Sequence, residues 1–162
     1  MRQNKFKVLV LPIRDKLFRL ALGITGNKED AEDVVQDVLL QVWKKGEWER
    51  IENIEAYCFR STRNRALDTI ALKDNQTEAF PDNFDYAGQD DIERHVEVQE
   101  QIVWMEKWLA KLPEKQQTIF RLREIEELSY KEIASILSIT EEQVKVILFR
   151  LRRKLKEYFD KK

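Results

Sequence analysis

The sequence predicts an all-α protein, two small helical domains joined by a flexible acidic linker, with a helix-turn-helix in the second domain. Three observations carry this prediction. Only four Gly and three Pro occur among 162 residues, while 36% are charged, a composition suited to helices with solvated faces. Apolar residues recur at helical spacing in both halves. Charge is unevenly divided behind a net of only −1: residues 1–72 carry 13 basic and 11 acidic side chains, residues 73–98 carry 2 and 8, and residues 99–162 carry 14 and 11. At 43% hydrophobic, the chain can bury one modest core or two small ones.

In the first domain, residues 1–72, the stretch 17–24 is apolar and helical and ends near Gly23-Ile24-Thr25-Gly26-Asn27. The wider segment 6–24 is interrupted by Lys7, Pro12, Arg14, Asp15, Lys16 and Arg19 and lacks a small-residue cleavage site, so it reads as neither signal peptide nor anchor. No apolar run is long enough to span a bilayer. Asn27 can cap the next helix, with Glu29 and Asp30 in its first turn. That helix, KEDAEDVVQDVLLQVWKK, turns Ala31, Val34, Val35, Val38 and Val42 inward and Asp33, Gln36, Asp37 and Leu40 outward. Asp30, Asp33 and Asp37 share a face, but no His or further ligand stands nearby, so no metal and no cofactor is expected. Leu40, an apolar residue stranded among polar ones, instead marks a protein-docking surface.

A loop containing Trp48 follows, and Asn53 starts a third helix that runs to about residue 72. Phe59, Thr62, Ala66 and Ile70 form its core face, and Tyr57, Arg60, Arg63 and Asn64 the opposite one. An aromatic among basic and amide side chains suits unpaired bases and phosphates. Trp43, on its helix, reads as packing. Trp48 admits both packing and base stacking. Cys58 is the only cysteine, which excludes an internal disulfide and a thiol-based zinc site. It reads as a small core residue in a protein of the reducing cytoplasm.

Residues 73–98 combine scattered aromatics, a Pro, a Gly and eight acids with no helical period, the mark of a linker. The second domain, 99–162, begins with a stripe of Ile102, Met105, Leu109 and Leu112 that Pro113 stops. Pro113-Glu114 opens the next helix, through Ile119, Phe120 and Ile125. Two capping boxes then stand eleven residues apart, Ser129 with Glu132 and Thr140 with Gln143. Ile133, Ala134, Ile136 and Leu137 mark a short helix, and Val144, Ile147, Leu148, Leu151 and Leu155 a longer one. The three-residue turn Ser138-Ile139-Thr140 between them completes a helix-turn-helix pattern, whose second helix enters the major groove of DNA. That helix ends in Arg150, Arg152, Arg153, Lys154 and Lys156, suited to phosphates.

The order of these segments resembles the small two-domain sigma factors of bacterial RNA polymerase, the extracytoplasmic-function (ECF) subfamily. LFRLALGITGNKEDAEDVVQDVLLQVWKK is similar to the family's polymerase-binding region, ENIEAYCFRSTRNRALDTI to its helix facing melted promoter, and the stretch from KLPEKQQ to LRRKL to its upstream-element reader. The resemblance implies a transcription initiation factor, not an enzyme, with core RNA polymerase (the β′ clamp and the β subunit), promoter DNA and an anti-sigma factor as partners. Asp33, Gln36, Asp37 and Leu40 would dock on polymerase. Trp48, Tyr57, Arg60, Arg63 and Asn64 would hold the non-template strand, where a base taken out of the stack needs a pocket. Gln143, Lys145, Val146, Phe149, Arg150 and Arg153 would meet the upstream element, Arg150 or Lys145 reading guanine and Phe149 a thymine methyl. The family usually has Gly where Glu127 and Ser138 stand, so both turns must be made without it. It often has Arg at the position of Ile147 and a small residue at that of Leu151.

Two other classes fit part of the pattern. An ordinary helix-turn-helix regulator shares the C-terminal half but needs a ligand-binding or receiver domain, and no receiver-like strand pattern precedes this one. A helical adaptor such as an anti-sigma partner needs no basic recognition helix. The linker's composition yields a prediction: limited proteolysis cuts first between about residues 73 and 94, because that segment buries too little to offset its ordering entropy. First cleavage inside either helical domain rules the two-domain organisation out.

Overall fold

The computed structural model describes residues 2–46, 48, 50–76 and 96–160. Residues 77–95, the greater part of the expected linker, lie outside the described residues. The chain divides into two compact units, residues 1–87 and 88–162. Every regular element among the described residues is helical.

In the first unit, α1 (Arg2–Thr25), α2 (Lys28–Lys45) and α3 (Ile54–Gln76) pack against one another pairwise. α1 starts far ahead of the expected residue 17 and carries Pro12 in its interior. Proline has no N–H to donate to the carbonyl four residues back, here that of Val8. Val8 is 72% exposed and Pro12 faces solvent, so water can meet that carbonyl. The opposite stripe of Val10, Ile13, Leu17, Leu20 and Ala21 is buried and holds the helix to its neighbours despite the charges between. The helix ends as Gly26 turns left-handed (φ 68°) and its N–H bonds Leu22 O at 2.8 Å, the αL stop that glycine adopts without a Cβ penalty.

α2 forms as its sequence predicts. Asn27 Oδ1 accepts from the Asp30 amide at 3.1 Å, Glu29 and Asp30 fill the first turn, and Ala31, Val34, Val35, Val38 and Val42 are its buried residues. Gly46, left-handed at φ 65°, closes it. For α3, Asn53 Oδ1 accepts from the Ala56 amide at 3.0 Å, and the helix continues past the expected residue 72 to Gln76. Cys58, Phe59, Thr62 and Ala66 are buried; Ile70 is half-buried. Ion pairs tie the helices at their rims: Lys16–Glu55 at 3.2 Å, Arg65–Asp37 at 2.8 Å and Lys73–Asp30.

In the second unit, α4 (Val96–Ala110) begins three residues before the expected boundary at 99 and ends ahead of Pro113. Pro113 leads into α5 (Glu114–Phe120), which widens into a π-helical turn over Arg121–Ile125. Trp108, Leu109, Phe120 and Leu151 form one cluster of the core, with Met105, Leu112, Ile147, Leu155 and Tyr158 packed against it. Arg121, 7% exposed, donates to both Glu106 oxygens, at 3.1 and 2.5 Å. This forked geometry gives two charge-assisted bonds at once and pins the widened turn to α4.

α6 (Tyr130–Leu137) and α7 (Glu141–Asp160) make the helix-turn-helix. Both capping boxes form. Ser129 Oγ accepts from the Glu132 amide at 3.1 Å and Glu132 Oε1 from the Ser129 amide at 3.3 Å; Thr140 Oγ1 accepts from the Gln143 amide at 3.1 Å and Gln143 Oε1 from the Thr140 amide at 2.9 Å. The two turns expected without glycine are made by forcing Glu127 (φ 60°) and Ser138 (φ 56°) into the left-handed region. An L-residue there carries a penalty of roughly 1–2 kcal/mol, and the freedom glycine adds to the unfolded chain costs roughly 0.4–1 kcal/mol. Ser138→Gly is therefore expected to stabilise the second unit by about 0.5–1 kcal/mol, and Ser138→Val to destabilise it. Urea unfolding followed by circular dichroism measures both; a Gly variant no more stable than the parent contradicts the strain assignment.

Candidate nucleic-acid interface

The rotation of α7 is set from inside. Val144, Leu148 and Leu151 are buried, and this stripe turns Gln143, Lys145, Val146, Phe149, Arg150 and Arg153 to solvent. All six residues expected to meet the upstream element are thus brought to the outer surface of one helix. Val146 at 47% and Phe149 at 62% exposure are apolar surface turned to solvent, of the kind a thymine-methyl contact uses. Arg153 lies over the Phe149 ring, 5.9 Å from its centroid. Gln143 is partly committed, since its Oε1 closes the capping box; its amide N–H groups remain for an acceptor.

Two residues that sequence reasoning missed join this surface. The Arg123 guanidinium stacks 4.4 Å from the Tyr130 ring centroid, and Lys145 Nζ lies 5.7 Å from the same ring. Arg123 Nη1 also donates to Leu128 O at 2.9 Å. The π-helical turn and the left-handed Glu127 bring Arg123 to Tyr130, and helical periodicity does not reveal such a contact. The available signal was an Arg seven residues ahead of a Tyr at a helix start. Arg152 Nε donates to Glu124 at 2.6 Å, which pushes the guanidinium pKa further up and fastens α7 to the π-helical turn.

In the first unit the outer face of α3 carries exposed Arg60 and Asn64 and half-buried Tyr57 and Arg63, with Lys45 Nζ donating to Tyr57 Oη at 3.3 Å. Trp48 does not belong to it. Its ring is 1% exposed and packs between Phe6 (5.5 Å, edge-on) and Trp43 (6.5 Å, stacked). The expectation that Trp48 meets a base is corrected: α1 reaches back far enough to bring Phe6 to the ring, and packing takes it.

The four residues expected to dock on polymerase lie together on α2. Asp33, Gln36 and Leu40 (50%) are exposed, and Asp37 is half-buried beside Arg65. Leu40 and Gln36 also line an apolar cleft of about 500 Å3 whose other wall, Phe6, Leu11 and Arg14, comes from α1. That wall is not legible in sequence, because Pro12 and the charges around it interrupt the apolar pattern of the helix that supplies it.

Residues 9–76 match the family model "Sigma-70 region 2" and residues 102–155 match "Sigma-70, region 4". The chain therefore belongs to the sigma-70 family of transcription initiation factors. ECF RNA polymerase sigma factor SigE of Mycolicibacterium smegmatis is 28% identical over 94% of this chain, which spans 61% of that protein's length. SigM of Bacillus subtilis, also an ECF sigma factor, is 24% identical over 90% of this chain and 89% of its own. Within the family, then, the chain is of the ECF type. Two solved structures share the fold. The sigma factor RpoE of Bartonella quintana, in complex with the anti-sigma factor NepR, has TM-score 0.70 at 20% identity, covering 96% of this chain and 97% of its own. CnrH, in complex with the cytosolic domain of CnrY, has TM-score 0.70 at 22% identity, covering 98% and 89%.

Cys58 takes no part in either surface. Its side chain is fully buried in α3's core face, and burial, then the nearby Glu55 charge, raises its pKa to about 12. A raised thiol pKa means the folded state holds its proton longer than the unfolded state. Its contribution to stability is complete below about pH 8.5, the ordinary thiol value, and is lost as pH rises towards 12. Stability of the parent should fall over that window, and Cys58→Ala should flatten the fall. Equal slopes for the two proteins in urea titrations above pH 9 contradict the assignment.

Proposed function

We propose that the chain acts in the cytoplasm as an ECF sigma factor that brings core RNA polymerase to promoters and leaves the chemistry to the polymerase. The observation that carries this reading is the outward row Val146, Phe149 and Arg150 on α7, presented by a helix whose rotation buried Val144, Leu148 and Leu151 fix. Such a row can read base edges in the major groove. Arg123, Lys145 and Arg153 supply charge for flanking phosphates. No described helix is long and apolar enough to cross a membrane, in keeping with a soluble place of action.

The division of labour follows the chain. Residues 1–72 dock on the β′ clamp through Asp33, Gln36, Asp37 and Leu40, and hold the melted strand on α3 with Tyr57, Arg60, Arg63 and Asn64. Residues 99–162 read the upstream element and meet the β subunit. Residues 73–98 are the acidic strap between them, whose charge of −6 (2 basic, 8 acidic) opposes premature approach of phosphate. The neighbours RpoE and CnrH were solved with anti-sigma partners, and an anti-sigma factor is the expected regulator here. The cleft beside Leu40, apolar with Lys7 and Arg14 at its edge, suits an amphipathic segment of such a protein.

Two substitutions separate the ends of the molecule. Arg150→Ala is expected to lower promoter recognition by about 1–3 kcal/mol, the value of a bidentate guanine contact, while leaving polymerase binding intact. Asp37→Arg is expected to do the reverse, since reversing a charge on a docking face can cost several kcal/mol. Pull-down of core polymerase and transcription from a cognate promoter measure the two effects. Full polymerase binding by Asp37→Arg, or its loss in Arg150→Ala, would overturn the assignment.

A further inference from the structure

Asp37 is already paired. Its Oδ2 receives Arg65 Nη2 at 2.8 Å, a contact from α2 to α3 between two half-exposed side chains. Asp37 sits one turn from Asp33 and Leu40 on the outer side of α2, and Arg65 directly follows Asn64 on α3. One ion pair thus joins a residue of the docking face to a cation beside the face assigned to the melted strand. A partner cation that engages the Asp37 carboxylate competes with Arg65 for it. The guanidinium it displaces is then free beside exposed Arg60 and Asn64, where the complementary group is a phosphate of single-stranded nucleic acid.

From this geometry we infer that Arg65 is a further nucleic-acid contact, a phosphate ligand that Asp37 keeps occupied until docking on polymerase releases it. The inference rests on the docking role given to Asp37 above. The restraint is mild by construction. Exposed ion pairs are worth so little that breaking this one changes affinity by only about two- to five-fold. A weak restraint suits a contact that must yield whenever polymerase binds. Lys73, the cation of the other α2–α3 pair, bonds Asp30 at the opposite end of α2 from Leu40, so docking near Leu40 leaves that tie intact and the two helices stay together.

The test uses the full chain and a short, mixed-sequence, fluorescein-labelled single-stranded DNA read by anisotropy at low salt. Asp37→Asn is expected to tighten binding about two- to five-fold, beyond the gain from Glu32→Gln, which removes an equal charge from the same helix without touching the pair. Arg65→Gln is expected to weaken binding, and Asp37→Asn/Arg65→Gln to exceed Arg65→Gln by no more than Glu32→Gln exceeds the parent. Asp37→Asn binding no tighter than Glu32→Gln, or the double variant gaining more over Arg65→Gln than Glu32→Gln gains over the parent, overturns the inference. Polymerase pull-down keeps the underlying reading separate: Arg65→Gln is expected to bind core polymerase at least as well as the parent. Weaker capture would show that Arg65 itself holds polymerase and would also overturn the inference. Loss of the docking assignment through Asp37→Arg leaves the anisotropy result to stand or fall alone.

Discussion

Three residues, Ser138, Ile139 and Thr140, have to reverse the chain between two helices that share a core. The rest of the DNA-reading unit depends on that reversal. If the turn were one residue longer, α7 would rotate by about 100° relative to α6 at 3.6 residues per turn, and Phe149 and Arg150 would leave the outer surface. The turn is over-determined for this reason. Ser138 accepts the left-handed conformation, Ile139 N–H bonds Ala134 O at 3.0 Å, and Thr140 and Gln143 satisfy each other's backbone amides. A local backbone penalty is tolerated where it fixes the direction of six side chains.

The first unit solves a different problem with the same means. α2 is buried along one side and exposed along the other, and the five-residue apolar face of Ala31, Val34, Val35, Val38 and Val42 anchors it while Leu40 stays in water. The surrounding rim pairs acids of α2 with bases of α3, Asp30 with Lys73 near the start of α2 and Asp37 with Arg65 at its middle. Such contacts add little stability individually. Their value lies in deciding which charged groups are occupied when another surface arrives.

Much of this was legible in the sequence wherever one local rule acted alone. The apolar face of α2, its Asn27 cap, both capping boxes and the length of the helix-turn-helix turn all depend on successive residues no more than four positions apart, and the structure agrees with each. The family resemblance implied two turns made without glycine, and Glu127 and Ser138 make them in the left-handed region. What escaped depends on distant contacts. α1 was begun at residue 17 because Pro12 and five charges interrupt its apolar pattern, but a buried stripe against two other helices outweighs the interruption. Trp48 could not be assigned without knowing that Phe6 reaches it. Arg123 and Tyr130 meet across a π-helical turn, a geometry with no periodic signature.

The single thiol of this chain has a consequence beyond packing. Oxidants attack the thiolate, and the environment that lowers a thiol pKa to make one is cationic and accessible. Cys58 has the opposite surroundings, a closed apolar face and a carboxylate neighbour. Peroxide or a disulfide reagent therefore finds no reactive thiol on the folded protein. A redox signal read by thiol chemistry therefore has to be sensed by another molecule and delivered to this factor as binding or release.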